Sequence, residues 1–223
     1  MACFCAGDAL CGIVCDGAGS AEHGGEGASV ISHTIANALR RHFRQSPDLP
    51  DDDNIWSWVD AARDRIGIAA EKRGKTPRAF AATLVMLVAT RNAALTAHVG
   101  DGAVVARLAD QSWQTLSAPE NGEYASMTYF VTDDPAPRLR VTRFADAYTG
   151  FAVFSDGVEN LALDHKTYAP HAPFFRSMLN PLDKDEGDGK SAKLSTALAE
   201  FLRGPRVCDK TDDDKTLLLI SAR

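Results

Sequence analysis

The sequence predicts an α+β domain, with helices outside an antiparallel core. Two observations carry this. Short apolar runs separated by turn residues fill the middle of the chain, and amphipathic helical stretches flank them on both sides. The 223 residues show no internal repeat and no linker long enough to separate domains, so residues 1–223 read as a single domain.

The elements follow in order. Residues 9–15 form a short, almost wholly apolar run that reads as a buried strand and stops at Asp16-Gly17. A loop of small residues leads into a helical pattern over about 27–44, with Ile31, Ile35, Ala38 and Leu39 on one face. Residues 46–53, with two prolines, form a loop. A second amphipathic helix follows, marked by Ile55, Val59, Ala62, Ile66 and Ala69 and capped by Asp53 or Asn54. Apolar runs at 81–89 and 93–99 are split by Thr90-Arg91-Asn92, a hairpin signal. Gly100-Asp101-Gly102 turns the chain into a run at 103–108, and further strands are expected near 112–116, 127–132, 138–144 and 149–155. Residues 156–163 read as a turn entering a short helix, and 174–179 as one or two helical turns. Residues 183–190 form a polar loop. Leu194, Ala197, Leu198, Phe201 and Leu202 share a helical face that ends at Gly204-Pro205, and 216–221 form a closing strand.

Composition narrows the function. Lys and Arg number 24 against 30 Asp and Glu, a net charge of −6, which argues against nucleic acid or an anionic membrane as the main partner. No apolar run reaches the roughly 18 residues of a membrane span, and no basic segment precedes an apolar one at the N-terminus. Of the five cysteines, Cys3, Cys5, Cys11, Cys15 and Cys208, none form a C-x-x-C pair. They read as reduced thiols of a cytoplasmic protein.

Aspartates recur where apolar strands end: Asp16, Asp101 and Asp156, each followed by glycine, and Asp212-Asp213-Asp214 before the last strand. Each Asp-Gly pair alone is a common turn dipeptide, and an acidic triplet alone is a solvated strand entry. Gathered at one edge, such carboxylates would repel one another, and a hard divalent cation with oxygen preference would relieve the repulsion. The chain contains no phosphate-cradling G-x-x-x-x-G-K-[ST], no G-x-S-x-G elbow and no H-E-x-x-H.

Residues 15–21 (Cys-Asp-Gly-Ala-Gly-Ser-Ala) resemble the first metal-binding motif of the metal-dependent protein serine/threonine phosphatases, the protein phosphatase 2C-like family, in its bacterial branch. Residues 80–84 resemble its Gly-Ala-Thr strand, 97–102 its Val-Gly-Asp motif, 155–158 its Ser/Thr-Asp-Gly motif and 212–217 its closing Asp-Asp/Asn-x-Thr motif, in the family's order. The resemblance implies a four-layer α-β-β-α sandwich, two antiparallel sheets between helix pairs. It implies hydrolysis of phosphoserine and phosphothreonine in proteins by a water bridging two Mn²⁺ or Mg²⁺ ions, with a weaker third ion. Asp16 would bridge the pair, with the Gly17 carbonyl on the second ion. Asp156 and Asp213 would complete the first, and Asp101 with Asp156 would suit the third. No side-chain nucleophile is implied. A phosphoprotein substrate and a cognate Ser/Thr kinase are implied as partners, and the resemblance says nothing about oligomeric state.

The chain departs from the pattern at its start. Family members usually carry a strand before the first Asp-Gly strand, with an acidic ligand for the second ion and often a phosphate-binding Arg. Here eight residues precede Ala9, with Asp8 as their one carboxylate and no Arg, and Gly7-Asp8 reads as a hairpin turn. The expectation is a shortened chain lacking that strand, with a bare sheet edge and a weakly held second ion. The alternative function is therefore a catalytically weak, pseudophosphatase-like binding or regulatory module. His23 reads as a solvent-exposed loop histidine rather than a proton donor, His98 as packed or hydrogen-bonded, and Arg40 and Arg41 as helix surface. The loop 183–190 and the segment 118–136 are candidates for shaping substrate choice.

Overall fold

The computed structural model describes residues 1–120 and 128–222. Strands β1 (Ala2–Ala6) and β2 (Ala9–Val14) form a hairpin and lead into helices α1 (Gly24–Gln45) and α2 (Asp52–Glu71). Then follow β3 (Leu84–Ala89), β4 (Ala94–Val99), β5 (Ala103–Leu108), β6 (Trp113–Ser117), β7 (Arg140–Phe144) and β8 (Tyr148–Phe154). The chain ends with helices α3 (Glu159–Ala162), α4 (Ala172–Asp183), α5 (Ala192–Arg203) and α6 (Pro205–Cys208), and strand β9 (Leu217–Ser221).

Two antiparallel sheets result, ordered β1-β2-β3-β4-β7 and β6-β5-β8-β9. The period-two alternation of strands divides the buried residues into three apolar layers. On one face of the first sheet, Cys11, Ile13, Met86 and Val88 pack against Ile31, Ile35, Leu39, Val59 and Ile66 of α1 and α2. On its other face, Val14, Val85, Leu87 and Ala94 meet Val104, Ala106, Phe151, Val153 and Ile220 of the second sheet. The outer face of the second sheet, with Ala103, Val105, Ala152 and Phe154, is covered by Phe174, Phe175 and Leu202. The order helix, sheet, sheet, helix is the expected four-layer sandwich.

The start of the chain corrects one expectation. Residues before Ala9 do form a strand. Ala2, Phe4 and Ala6 are partly buried, Cys3 and Cys5 face outward, and the register runs from Ala2↔Ile13 to Ala6↔Ala9. Gly7, at φ +59°, supplies the left-handed residue of the two-residue turn, as Gly7-Asp8 suggested. The sheet edge at β2 is thus covered. Asp8 lies at the opposite end of β2 from Asp16, about 26 Å away at strand rise, so it brings no carboxylate to that end.

A second correction concerns residues 127–132, expected as a strand. Met127 lies outside the described residues, and 128–132 form a single bridge followed by a turn. Their backbone groups are taken elsewhere. The Asp133 carboxylate accepts from the Phe130 amide at 2.8 Å, and the Arg63 guanidinium donates to the carbonyls of Val131 (2.6 Å) and Asp133 (2.7 Å). Helix α2 is capped two or three residues earlier than expected. The Asp51 carboxylate accepts from the Asn54 amide at 2.8 Å.

Candidate metal centre

Asp16, Asp101 and Asp156 each follow closely on the end of a strand, and all three stand on one end of the sandwich. β2 runs to Val14, β4 to Val99 and β8 to Phe154. Asp16 is braced to the neighbouring β3. Its amide donates to the Thr83 hydroxyl at 3.1 Å, and its carbonyl accepts from the Thr83 amide at 2.8 Å. Thr128 donates a short hydrogen bond to the Asp101 carboxylate. The Gly157 amide donates to the Asp156 carboxylate at 2.7 Å.

Asp213 arrives from far along the chain. A Cβ on residue 157 would lie 2.3 Å from the Asp214 carbonyl oxygen, so glycine there lets the segment before β9 close onto the Asp156 turn. The Ser155 hydroxyl fixes the approach by accepting from the Thr216 amide at 3.1 Å.

Asp16, Gly17, Asp101, Asp156 and Asp213 line one cleft of about 720 Å³, with Arg78, Thr83, Thr128, Asp133, Asp134 and Arg138 also on its walls. Its carboxyls are shifted first by burial and then by one another's charge. Burial pushes the Asp16 carboxyl up to about 6. The Ser155 hydroxyl opposes this, and Asp213, Asp214 and Asp101 add to it. Burial, then Asp101, Asp213 and Asp16, push Asp156 up to about 7. Asp101 is raised by burial, against the pull of the Thr128 hydroxyl. Among the described residues no three His, Cys, Asp or Glu side chains stand close enough to hold a metal ion unaided. The donors are all oxygen, and the repulsion is the kind a hard cation relieves. Mg²⁺ and Mn²⁺ keep several waters and need only one or two carboxylates each, so the residues fit hydrated ions better than a closed cage.

His23, expected as a solvent-exposed loop histidine, is instead partly buried against Phe80, ring centroids 4.9 Å apart, and is not on the cleft wall. The other candidates fall as expected. His98 is fully buried, with Nδ1 2.7 Å from the Ser117 hydroxyl and 3.0 Å from an Arg140 nitrogen that can only donate, so the ring proton sits on Nε2. Burial, then the Arg140 charge, hold its pKa down to about 3. The Arg40 guanidinium lies 4.0 Å above the Phe4 ring, away from the site. Cys15 is buried and its thiol is pushed up to about 12, which removes it as a nucleophile.

Arg78, Arg138 and Thr128 on the cleft wall are residues that no sequence motif singled out. Arg78 sits two residues before Phe80, at the edge of a recognisable motif. Thr128 falls in the segment expected to shape substrate choice, within the stretch expected as a strand, and Arg138 lies just beyond that segment.

Comparison with known proteins adds an independent line. The sequence profile of the family described as Protein phosphatase 2C matches residues 2–203. The chain is 36% identical over 209 residues to serine/threonine-protein phosphatase 3 of Escherichia coli (strain K12), covering 93% of this chain and 81% of that protein. Among solved structures, PppA, a key regulatory component of T6SS in Pseudomonas aeruginosa, superposes with a TM-score of 0.68 at 18% identity, covering 100% of this chain and 90% of that one. The catalytic domain of the serine threonine protein phosphatase PstP, in complex with two manganese ions, superposes with a TM-score of 0.61 at 14% identity, covering 98% and 89%.

Proposed function

The chain belongs to the protein phosphatase 2C family, and from that premise we propose that it hydrolyses phosphoserine and phosphothreonine in proteins with the help of two Mn²⁺ or Mg²⁺ ions. Asp16, Gly17, Asp156 and Asp213 would hold the pair, and Asp101 with Asp156 a weaker third. The observation that carries this reading is the meeting of four strand-end aspartates in one cleft, two of them with strongly raised pKa values. When bound, the ions would offset charge on the phosphoryl oxygens and acidify a water for in-line attack on phosphorus.

The chain's own residues do the rest. Thr83, at the entry to β3, holds the Asp16 backbone and so fixes where its side chain starts on the cleft wall. Ser155 and the Gly157 amide orient Asp16 and Asp156, and Thr128 orients Asp101. No Ser, Cys or His is required as nucleophile. We read residues 1–223 as one domain. The substrate is a phosphoprotein, so a serine/threonine kinase must act before this enzyme. Five free cysteines favour the cytoplasm, and no helix among the described residues is long and apolar enough to cross a membrane.

Two observations favour the second reading, a weak or inactive phosphoprotein-binding module. The described residues offer no ready three-ligand group, and β1 brings no carboxylate to the cleft. Hydrolysis of a phosphothreonine peptide with and without Mn²⁺ separates the two. A rate that depends on Mn²⁺ and is lost in Asp16→Ala supports the enzyme. Mn²⁺ binding without turnover supports the module.

A further inference from the structure

The cleft has a charge problem that its aspartates cannot solve. Six aspartates and two arginines line it, and the substrate proposed above is itself a dianion. The bridged pair of divalent ions would offset four carboxylates. Beyond metal ions, the cationic side chains on the lining are Arg78 and Arg138.

The two arginines differ in what they are free to do. Arg138 is engaged. It donates to the Tyr129 hydroxyl at 2.6 Å and to Glu120 at 3.2 Å, and its guanidinium lies 4.5 Å from the Tyr129 ring centroid. Arg78 is exposed, lies on the wall formed by Gly17, Ala18, Gly19 and Ser20, and among the described residues has no carboxylate or carbonyl partner for its side chain.

The base of Arg78 is nonetheless rigid. It stands on the short helical turn Pro77–Phe80, whose Phe80 is fully buried. That turn is laced to the loop after β2: the His23 amide donates to the Ala79 carbonyl at 2.8 Å, and the Ala18 amide to the Ala81 carbonyl at 2.9 Å. The loop that carries Asp16 and Gly17 and the turn that carries Arg78 therefore move as one piece. A guanidinium held this way, with its donors unspent among the described residues, suits two oxygens of a tetrahedral anion.

We propose that Arg78 is the phosphate-binding residue of this cleft, donating its guanidinium fork to the phosphoryl oxygens of the phosphoprotein ester and of the released phosphate. This rests on the phosphatase reading and adds to it the residue that recognises the entering and leaving anion.

The test compares wild type, Arg78→Ala and Arg78→Lys, each loaded with Mn²⁺. Binding of inorganic phosphate is measured by calorimetry, and turnover with a phosphothreonine peptide. For Arg78→Ala the expected result is a phosphate Kd and a peptide KM raised about tenfold to a hundredfold, with partial recovery in Arg78→Lys. The melting temperature should not move, because among the described residues the side chain has no polar partner to lose. Phosphate affinity and KM unchanged in Arg78→Ala would overturn the assignment while leaving the hydrolytic reading intact. If the wild type binds phosphate through Arg78 but turns over no ester, the hydrolytic reading fails and this one stands.

Discussion

Strand β5 has a charged cluster at each end, and the two are built on opposite principles. Before its start, Asp101 faces Asp16, Asp156 and Asp213 in a cleft where like charges crowd. Near its far end, Arg107 is met by a bidentate carboxylate. Its nitrogens donate to Asp183 at 2.6 and 2.9 Å, and to the Thr149 hydroxyl and carbonyl at 2.9 and 3.0 Å. Asp183 also accepts from Ser221 at 2.6 Å. Asp183 ends α4, where the helix dipole disfavours a negative charge, and the guanidinium offsets that cost. The Arg107 cluster closes on itself and asks for nothing more. The aspartate cluster has its pKa values raised by burial and then by mutual repulsion, and under the proposed function a cation would complete it. Partial burial of charge thus meets a partner at one end of the sheet and like charges at the other.

The largest expected effect falls on the like-charged end. Asp156→Ala should lower Mn²⁺-dependent peptide hydrolysis on the order of a hundredfold to a thousandfold, measured at saturating substrate. A rate within a few-fold of wild type would remove Asp156 from the site and leave the comparison without its functional half.

The paired end should respond in stability instead. Arg107→Ala leaves Asp183 without its guanidinium and should cost about 3 kcal/mol by urea unfolding. The Mn²⁺-dependent kcat should stay unchanged. Loss of activity with no loss of stability would reverse the roles assigned to the two ends.

Arg63 sharpens the boundary between them. It donates to the carbonyls of Val131, Asp133 and Pro135 and so pins one cleft wall to α2. Arg63→Ala should raise KM for a phosphothreonine peptide by about fivefold to tenfold, the loss of one or two modest hydrogen bonds. Hydrolysis of p-nitrophenyl phosphate, which needs no wall, should change little. Equal losses on both substrates would make the wall belong to the metal end.

The smallest effect concerns pH. Asp16 and Asp156 have folded pKa values raised above that of an unfolded aspartate, so the folded state holds their protons more tightly. Their contribution to stability is full below about pH 4 and is lost as pH rises through about 6 and 7. This cluster should therefore lower the melting temperature of the metal-free protein between pH 5 and pH 7.5, and Mn²⁺ should restore the difference. Asp16→Asn, which cannot ionise, should raise the metal-free melting temperature at pH 7.5 by about 2–4 °C. His98 runs the other way. Its depressed pKa removes stability as pH falls from about 6.5 toward 3, so the variant is best compared with wild type at pH 7.5, where His98 is neutral in both.

Much of the site is legible because it is written locally. An apolar run that ends in Asp-Gly marks a strand terminus by its own composition, and Asp16, Asp101 and Asp156 are found that way. The hairpin at Gly7-Asp8 is legible for the same reason. The strand before it escapes notice because Ala-Cys-Phe-Cys-Ala alternates without a polar face. The loop at 128–138 escapes too, because its β-forming residues give their backbone groups to Arg63 and Asp133, partners that no local pattern discloses.

From the sequence alone come the strand ends, the helix faces, the acidic character of the turns and the family resemblance, since each depends on neighbours within a few residues. Only the tertiary structure decides that Asp213 docks on the Asp156 turn over Gly157 and that Arg78 lines the same cleft as Gly17. Those outcomes depend on sheet register and on the stacking of two sheets. Both are set by contacts between residues scores of positions apart.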